Sequence, residues 1–110
     1  MQAGIIADMA IAIESARAYY LMVSSMFDNR KLYGDHASDY LIAKASAAKV
    51  YATDVTVKVC NMAMELMGSY GYSKDFHVEK YLRDSKIIQL WEGGSHAARI
   101  DVARGFYPMS

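Results

Sequence analysis

Three observations predict an all-α fold, an antiparallel bundle of two long and two shorter helices. The one proline, Pro108, lies at the end of the 110-residue chain, and alanine occurs sixteen times. Proline breaks helix interiors and alanine favours them. Apolar residues also recur at alternating steps of three and four through two extended segments, the spacing of a helix face. No repeat and no linker rich in serine, proline or glycine divides the chain, so residues 1–110 are expected to form a single domain.

The first helix is predicted from Gln2 to Met26. Ile6, Met9, Ile13, Ala16, Tyr20, Val23 and Phe27 form one stripe, and Ile5, Ala12, Tyr19 and Met26 form a second beside it. Only Asp8, Glu14, Ser15 and Arg17 remain for a polar side, so the helix is expected to be covered on more than one face. Asp28-Asn29-Arg30-Lys31 and Gly34-Asp35 then read as a polar connection.

The second helix is predicted from Ser38 to Met67, about 45 Å long at 1.5 Å per residue. Its stripe is Leu41, Ala45, Ala48, Ala52, Val55, Val59, Met62 and Leu66, with alanines small enough to admit a close neighbour. Lys44, Lys49, Asp54 and Lys58 supply its polar side. Thr53, Val55, Thr56, Val57 and Val59 are β-branched and lower helix propensity, but the sustained periodicity outweighs them. Gly68-Ser69-Tyr70-Gly71-Tyr72 ends the helix, glycine supplying left-handed backbone at little steric cost. A short helix from His77 to Asp84 follows, with Val78, Tyr81 and Leu82 inward. Ile87-Ile88-Gln89-Leu90-Trp91 has no assignable period. Ser95 is the expected N-cap of a last helix from His96 to Arg104.

Composition removes several classes of function. Twelve basic residues balance twelve acidic ones, which leaves no general electrostatic grip on nucleic acid or anionic lipid. A hydrophobic content of 54% with only 22% charged residues excludes a disordered chain. Asp8, Glu14 and Arg17 interrupt the most apolar stretch, so no membrane span is expected, and the opening lacks a signal-peptide layout. The single cysteine, Cys60, reads as a helical core residue, and a cytoplasmic setting is expected. His36, His77 and His96 fall in no metal-ligand spacing, so no metal is expected.

Glu92 is the one chemically suggestive residue. It follows Leu90-Trp91 and precedes two glycines. Apolar neighbours that exclude water raise a carboxyl pKa towards what a general base needs, and glycines admit a substrate closely. The alternative is an acidic residue placed favourably before a helix N-terminus.

Met64-Glu65-Leu66-Met67-Gly68-Ser69-Tyr70-Gly71-Tyr72, Val78-Glu79-Lys80-Tyr81-Leu82-Arg83-Asp84-Ser85-Lys86-Ile87 and Leu90-Trp91-Glu92-Gly93-Gly94-Ser95 resemble, in order and spacing, the closing segment of acyl-CoA dehydrogenases. Asp8-Met9-Ala10 with Glu14 to Arg17 is similar to that family's preceding helix. The resemblance covers essentially the whole chain and implies a C-terminal helical domain whose N-terminal helical and middle β-domains are absent here. It further implies FAD as cofactor, an acyl-CoA substrate, electron-transfer flavoprotein as partner, and a homo-oligomer, a tetramer in most members. Position for position, the α-proton base of many members falls on Glu92. The turn that approaches the flavin dinucleotide of a neighbouring subunit falls on Glu65, Gly68 and Gly71, and further flavin contacts fall on Gly94 and His96. Some relatives carry the base on another helix.

The sequence departs from the family at four of these places. Glu65 stands for a usual glutamine, Ser69 for the second glycine, His77 for proline and Gly94 for threonine. The first puts a negative charge near a pyrophosphate, and the last removes a hydroxyl donor. The isolated chain, without strands to hold the isoalloxazine ring, is expected to bind FAD weakly or not at all and to be inactive. The competing class is a non-enzymatic helical oligomerisation module, in which Tyr70, Tyr72 and Trp91 only pack. Two wide apolar faces and eight methionines exceed what these helices can cover, so self-association is expected under either reading.

Overall fold

The computed structural model describes residues 2–68, 71, 74–75, 77–91 and 94–107, with Ser95 known by its backbone alone. Helix α1 spans Gln2–Asp28, α2 Arg30–Tyr33, α3 Asp39–Met67, α4 Val78–Leu90 and α5 Gly94–Phe106. No strand occurs among the described residues. The two long and two shorter helices are those expected, and α2 adds one turn inside the polar connection.

Helix α3 organises the molecule. Ser38 caps it as its position suggested, accepting the Leu41 N–H at 3.3 Å, with Asp39 favourably placed in the first turn. The β-branched run stays helical: Thr53 and Thr56 return their hydroxyls to the carbonyls of Lys49 and Ala52 at 2.8 and 2.7 Å. Gly68, at φ 60°, ends the helix and donates its N–H to the Glu65 carbonyl.

Helix α1 folds back antiparallel on α3. His36, in the connection, donates its Nε2 proton to the Phe27 carbonyl 2.7 Å away and makes a tilted ring contact with Phe27. Further along, Ile13, Ala16, Arg17 and Tyr20 face Ala52, Val55, Val59 and Cys60 across a groove. Cys60 is half-buried there. At 100° per residue these α3 positions share one face, and Ala43, Ala47, Val50 and Asp54 share the opposite one. That second face receives α4 and α5, which follow one another down it, both antiparallel to α3. The Gln89 amide of α4 reaches Asp54, Arg99 and Asp101 of α5 meet Asp54 and Ser46, and Gly105 lies on Ala43. A Cβ added to Gly105 would overlap that of Ala43. The expectation that alanines admit a close neighbour thus holds, although through Ala43 rather than Ala45, which is exposed.

Three other local expectations change. The buried face of α1 is centred on Ala16, Val23 and Met26, and Ile6, Ile13 and Tyr20 are exposed. A helix apolar around most of its girth cannot announce which side meets its neighbour. The separate run from Ile87 belongs to α4, which continues from Val78 to Leu90, while Tyr81 is exposed rather than inward. Helix α5 begins at Gly94, which puts Ser95 inside the first turn instead of at the cap.

The described molecule measures 51 × 26 × 21 Å. Its shortest dimension is about two helix diameters, and among the described residues α3 is the helix packed on opposite faces, by α1 on one and by α4 and α5 on the other. Seven apolar side chains are buried among the described residues: Ala16, Val23, Met26, Leu41, Ala43, Val50 and Val55. Ile6, Ile11, Leu21 and Met22 of α1 stay exposed, as do Ile87, Leu90 and Trp91 at the far end of α4. No helix among the described residues is long and apolar enough to cross a membrane.

Candidate functional site

The end of α4 and the start of α5 meet over the middle of α3. The Trp91 N–H closes α4 on the Ile87 carbonyl at 3.1 Å, and the Trp91 carbonyl accepts the Gly94 N–H at 3.0 Å. This bond ties together the two ends of the connection that carries Glu92 and Gly93. Both of those residues lie outside the described set, as do Ser69, Tyr70 and Tyr72 of the other turn. From α3, the Lys49 ammonium donates to the carbonyls of Gln89 and Trp91 at 3.4 and 3.3 Å. One turn on, Asp54 uses one oxygen for the Gln89 amide and the other for Arg99, each at 2.9 Å. Lys49 and Asp54, read from the sequence as part of one solvated side, therefore stand on different faces of α3 and bind α4 and α5.

A cavity of about 430 Å³ opens above this junction, lined by Asp54, Lys86, Gln89, Leu90, Gly94, His96 and Arg99. Two of the expected flavin contacts, Gly94 and His96, thus share one recess with two cations. Helix α5 has no acidic residue in its first turn, an end of a helix where negative charge is favoured, while Lys86 bonds Gln89 and Arg99 pairs with Asp54. Trp91 is 62% exposed, so its indole is left uncovered by the described residues.

The other expected contacts lie elsewhere. Glu65 is exposed on the last turn of α3, and Gly68 ends that helix. Gly71 is buried against Met64: a Cβ there would stand 2.9 Å from the Met64 carbonyl oxygen. At 1.5 Å per residue, Gly68 is about 21 Å along α3 from Asp54. One copy of the chain does not bring Glu65, Gly68 and Gly71 together with Gly94 and His96.

Two departures from the family pattern coincide with unusual backbone. His77 has φ 61° and Gly94 has φ 76°. A proline is held near −65° and could not take the first, and a β-branched threonine rarely takes the second. Of the residues missed in the sequence, Arg99 and Gly105 carried no local signal, because their partners are brought near only by packing, whereas Lys86 bonds Gln89 one turn along its own helix. Arg83 and Asp84 do not pair with each other; they form surface pairs with Glu79 and Lys80, one helical turn away. No cluster of three or more His, Cys, Asp or Glu side chains that could hold a metal occurs among the described residues.

Comparison with known proteins bears on the recess and the turn together. The family described as "Acyl-CoA dehydrogenase, C-terminal domain" matches residues 3–107. The chain belongs to the acyl-CoA dehydrogenase family. It is 37% identical over 101 residues to "Acyl-CoA dehydrogenase, short-chain specific" of Clostridium acetobutylicum, covering 92% of this chain and 24% of that protein. Against the bovine "Short-chain specific acyl-CoA dehydrogenase, mitochondrial" the identity is 33% over 98 residues, covering 89% and 22%. The "Caffeyl-CoA reductase-Etf complex subunit CarC" of Acetobacterium woodii is 32% identical over 98 residues, covering 89% and 24%. The chain thus spans about a quarter of the length of the curated relatives it matches, and the family match runs through both glycine turns.

Proposed function

We propose that the chain works as the C-terminal helical domain of an FAD-dependent acyl-CoA dehydrogenase, which forms a double bond between the α- and β-carbons of an acyl-CoA thioester. The carrying observation is that the family match extends over residues 3–107 and so includes the α4–α5 junction, where Leu90-Trp91-Glu92-Gly93 stands. Glu92 takes the α-proton. FAD, when bound, supplies the acceptor for the hydride that leaves the β-carbon. Gly94, His96, Lys86 and Arg99 hold the negatively charged part of the cofactor in their recess. Glu65, Gly68 and Gly71 serve the flavin of a neighbouring subunit, a division supported by their separation along α3. Electrons pass on to an electron-transfer flavoprotein, a partner class supported by the Etf complex named for one relative. The single cysteine fits a reducing, cytoplasmic setting.

Replacement of Glu92 by glutamine in the complete enzyme tests the assignment. Loss of a general base typically costs about 10²–10⁴-fold in rate, so flavin bleaching by acyl-CoA should fall by that much while flavin content and melting stay unchanged. Bleaching within a few-fold of the original rate would remove Glu92 from the mechanism.

Assembly into a homo-oligomer, a tetramer in the complete enzyme, is supported by Ile6, Ile11, Leu21 and Met22 on the outer side of α1. A non-enzymatic assembly module would use the same face. Light scattering should show self-association that Ile11→Glu with Leu21→Glu abolishes. A flavin band in the visible spectrum of the complete protein separates the enzyme from the module.

A further inference from the structure

The last four carbonyls of a helix have no partner within it, and cations are favoured there. Helix α4 has no basic residue in its own last turn. The charge comes instead from α3, whose half-buried Lys49 makes no ion pair among the described residues and spends its ammonium on the Gln89 and Trp91 carbonyls. The Trp91 carbonyl is the group that also accepts the Gly94 N–H. Lys49 therefore acts on the last described atom group before Glu92 and, through it, on the first one after Gly93. Asp54 holds the same two helices from the next turn, through Gln89 on α4 and Arg99 on α5.

We propose that Lys49 is the positioning residue for Glu92, fixing the backbone on both sides of it, with Asp54 as its support. The proposal rests on the assignment of Glu92 as the α-proton base. Lys49 is not assigned a contact with substrate or cofactor. It acts by holding the Trp91 carbonyl, and a displacement of about 1 Å in a reacting group can cost about 100-fold in rate.

The test uses the complete FAD-loaded enzyme with Lys49→Met, Lys49→Arg and, in parallel, Glu92→Gln. Lys49→Met should lower the rate of flavin reduction at saturating acyl-CoA about 10–100-fold and leave KM and flavin content within about threefold. Amide exchange at Gly94 should quicken at least about tenfold, while exchange in α1 stays as it was. Lys49→Arg, which keeps the charge and the reach, should recover most of both losses. This rescue and the kcat-against-KM split would not follow from a general loss of stability. Unchanged exchange at Gly94 in Lys49→Met would overturn the proposal. Flavin reduction within twofold of the original in Lys49→Met, beside an inactive Glu92→Gln, would also overturn it and leave the base assignment standing. An active Glu92→Gln would remove the base and, with it, the role given to Lys49, whatever the exchange showed.

Discussion

The two glycine turns at the ends of α4 use glycine for different physical reasons. At Gly71 the backbone lies directly on Met64, and the missing Cβ is what permits the contact. At Gly94 there is room for a Cβ, with the Gln89 carbonyl oxygen 3.7 Å away, but the backbone is at φ 76°. In the first turn Gly71 is seated by main-chain contact with α3. The second is held by side chains, Lys49 and Asp54, reaching from α3 to both helices it joins. A turn seated by close packing tolerates no added volume, whereas a turn seated by long side chains tolerates volume but not a forbidden dihedral.

This contrast can be broken by substitution. The largest effect should come from Gly71→Ala, because the atoms that a new Cβ meets are backbone and cannot swing aside. Overpacking of this kind costs about 1–3 kcal/mol, read as a lower urea midpoint, and Gly71→Asn should be no better. A Gly71→Ala protein as stable as the original would mean that the turn moves freely off Met64.

Next comes Gly94, where the order of side chains is the diagnostic. Left-handed backbone costs an ordinary residue about 1–2 kcal/mol, so Gly94→Ala should lose about that much. Gly94→Thr, which installs the family's usual residue, should lose more, and Gly94→Asn, which tolerates positive φ, should lose less. Equal losses in all three would show that volume rather than dihedral governs this position.

The smallest effect is expected for Asp54→Asn. Its pair with Arg99 is partly solvated, with the Arg99 side chain 51% exposed, and such pairs contribute about 0–1 kcal/mol. The loss should shrink further at high salt. A salt-independent loss above about 2 kcal/mol would place the pair in a drier setting than the exposed guanidinium suggests.

Much of the architecture was legible because it depends on local chemistry. Ser38 announces the start of α3 by its capping hydroxyl, and Gly68 announces its end by a conformation other residues avoid. The site was legible only as a sequence pattern. Glu92, Gly94 and His96 stand out through their order, and nothing nearby in the chain marks Lys86 or Arg99 as lining one recess with Gly94 and His96. Helix α4 shows the same limit at the level of secondary structure. Ile87 to Leu90 has no readable period, and it is helical where Lys49 takes up its terminal carbonyls and Asp54 takes the Gln89 amide.

The sequence by itself determined the helical class, the two long helices, the caps of α3 and the family, since propensity, capping and motif spacing act over a few residues at a time. Tertiary structure alone decided which side of α1 is buried, that α4 and α5 share one flank of α3, and why Gly71 and Gly105 must be glycine. Except at Gly71, which lies on nearby Met64, those outcomes depend on close approach between helices distant in the chain. Packing energies of that kind are set by shape, which the order of residues does not display until the chain has folded.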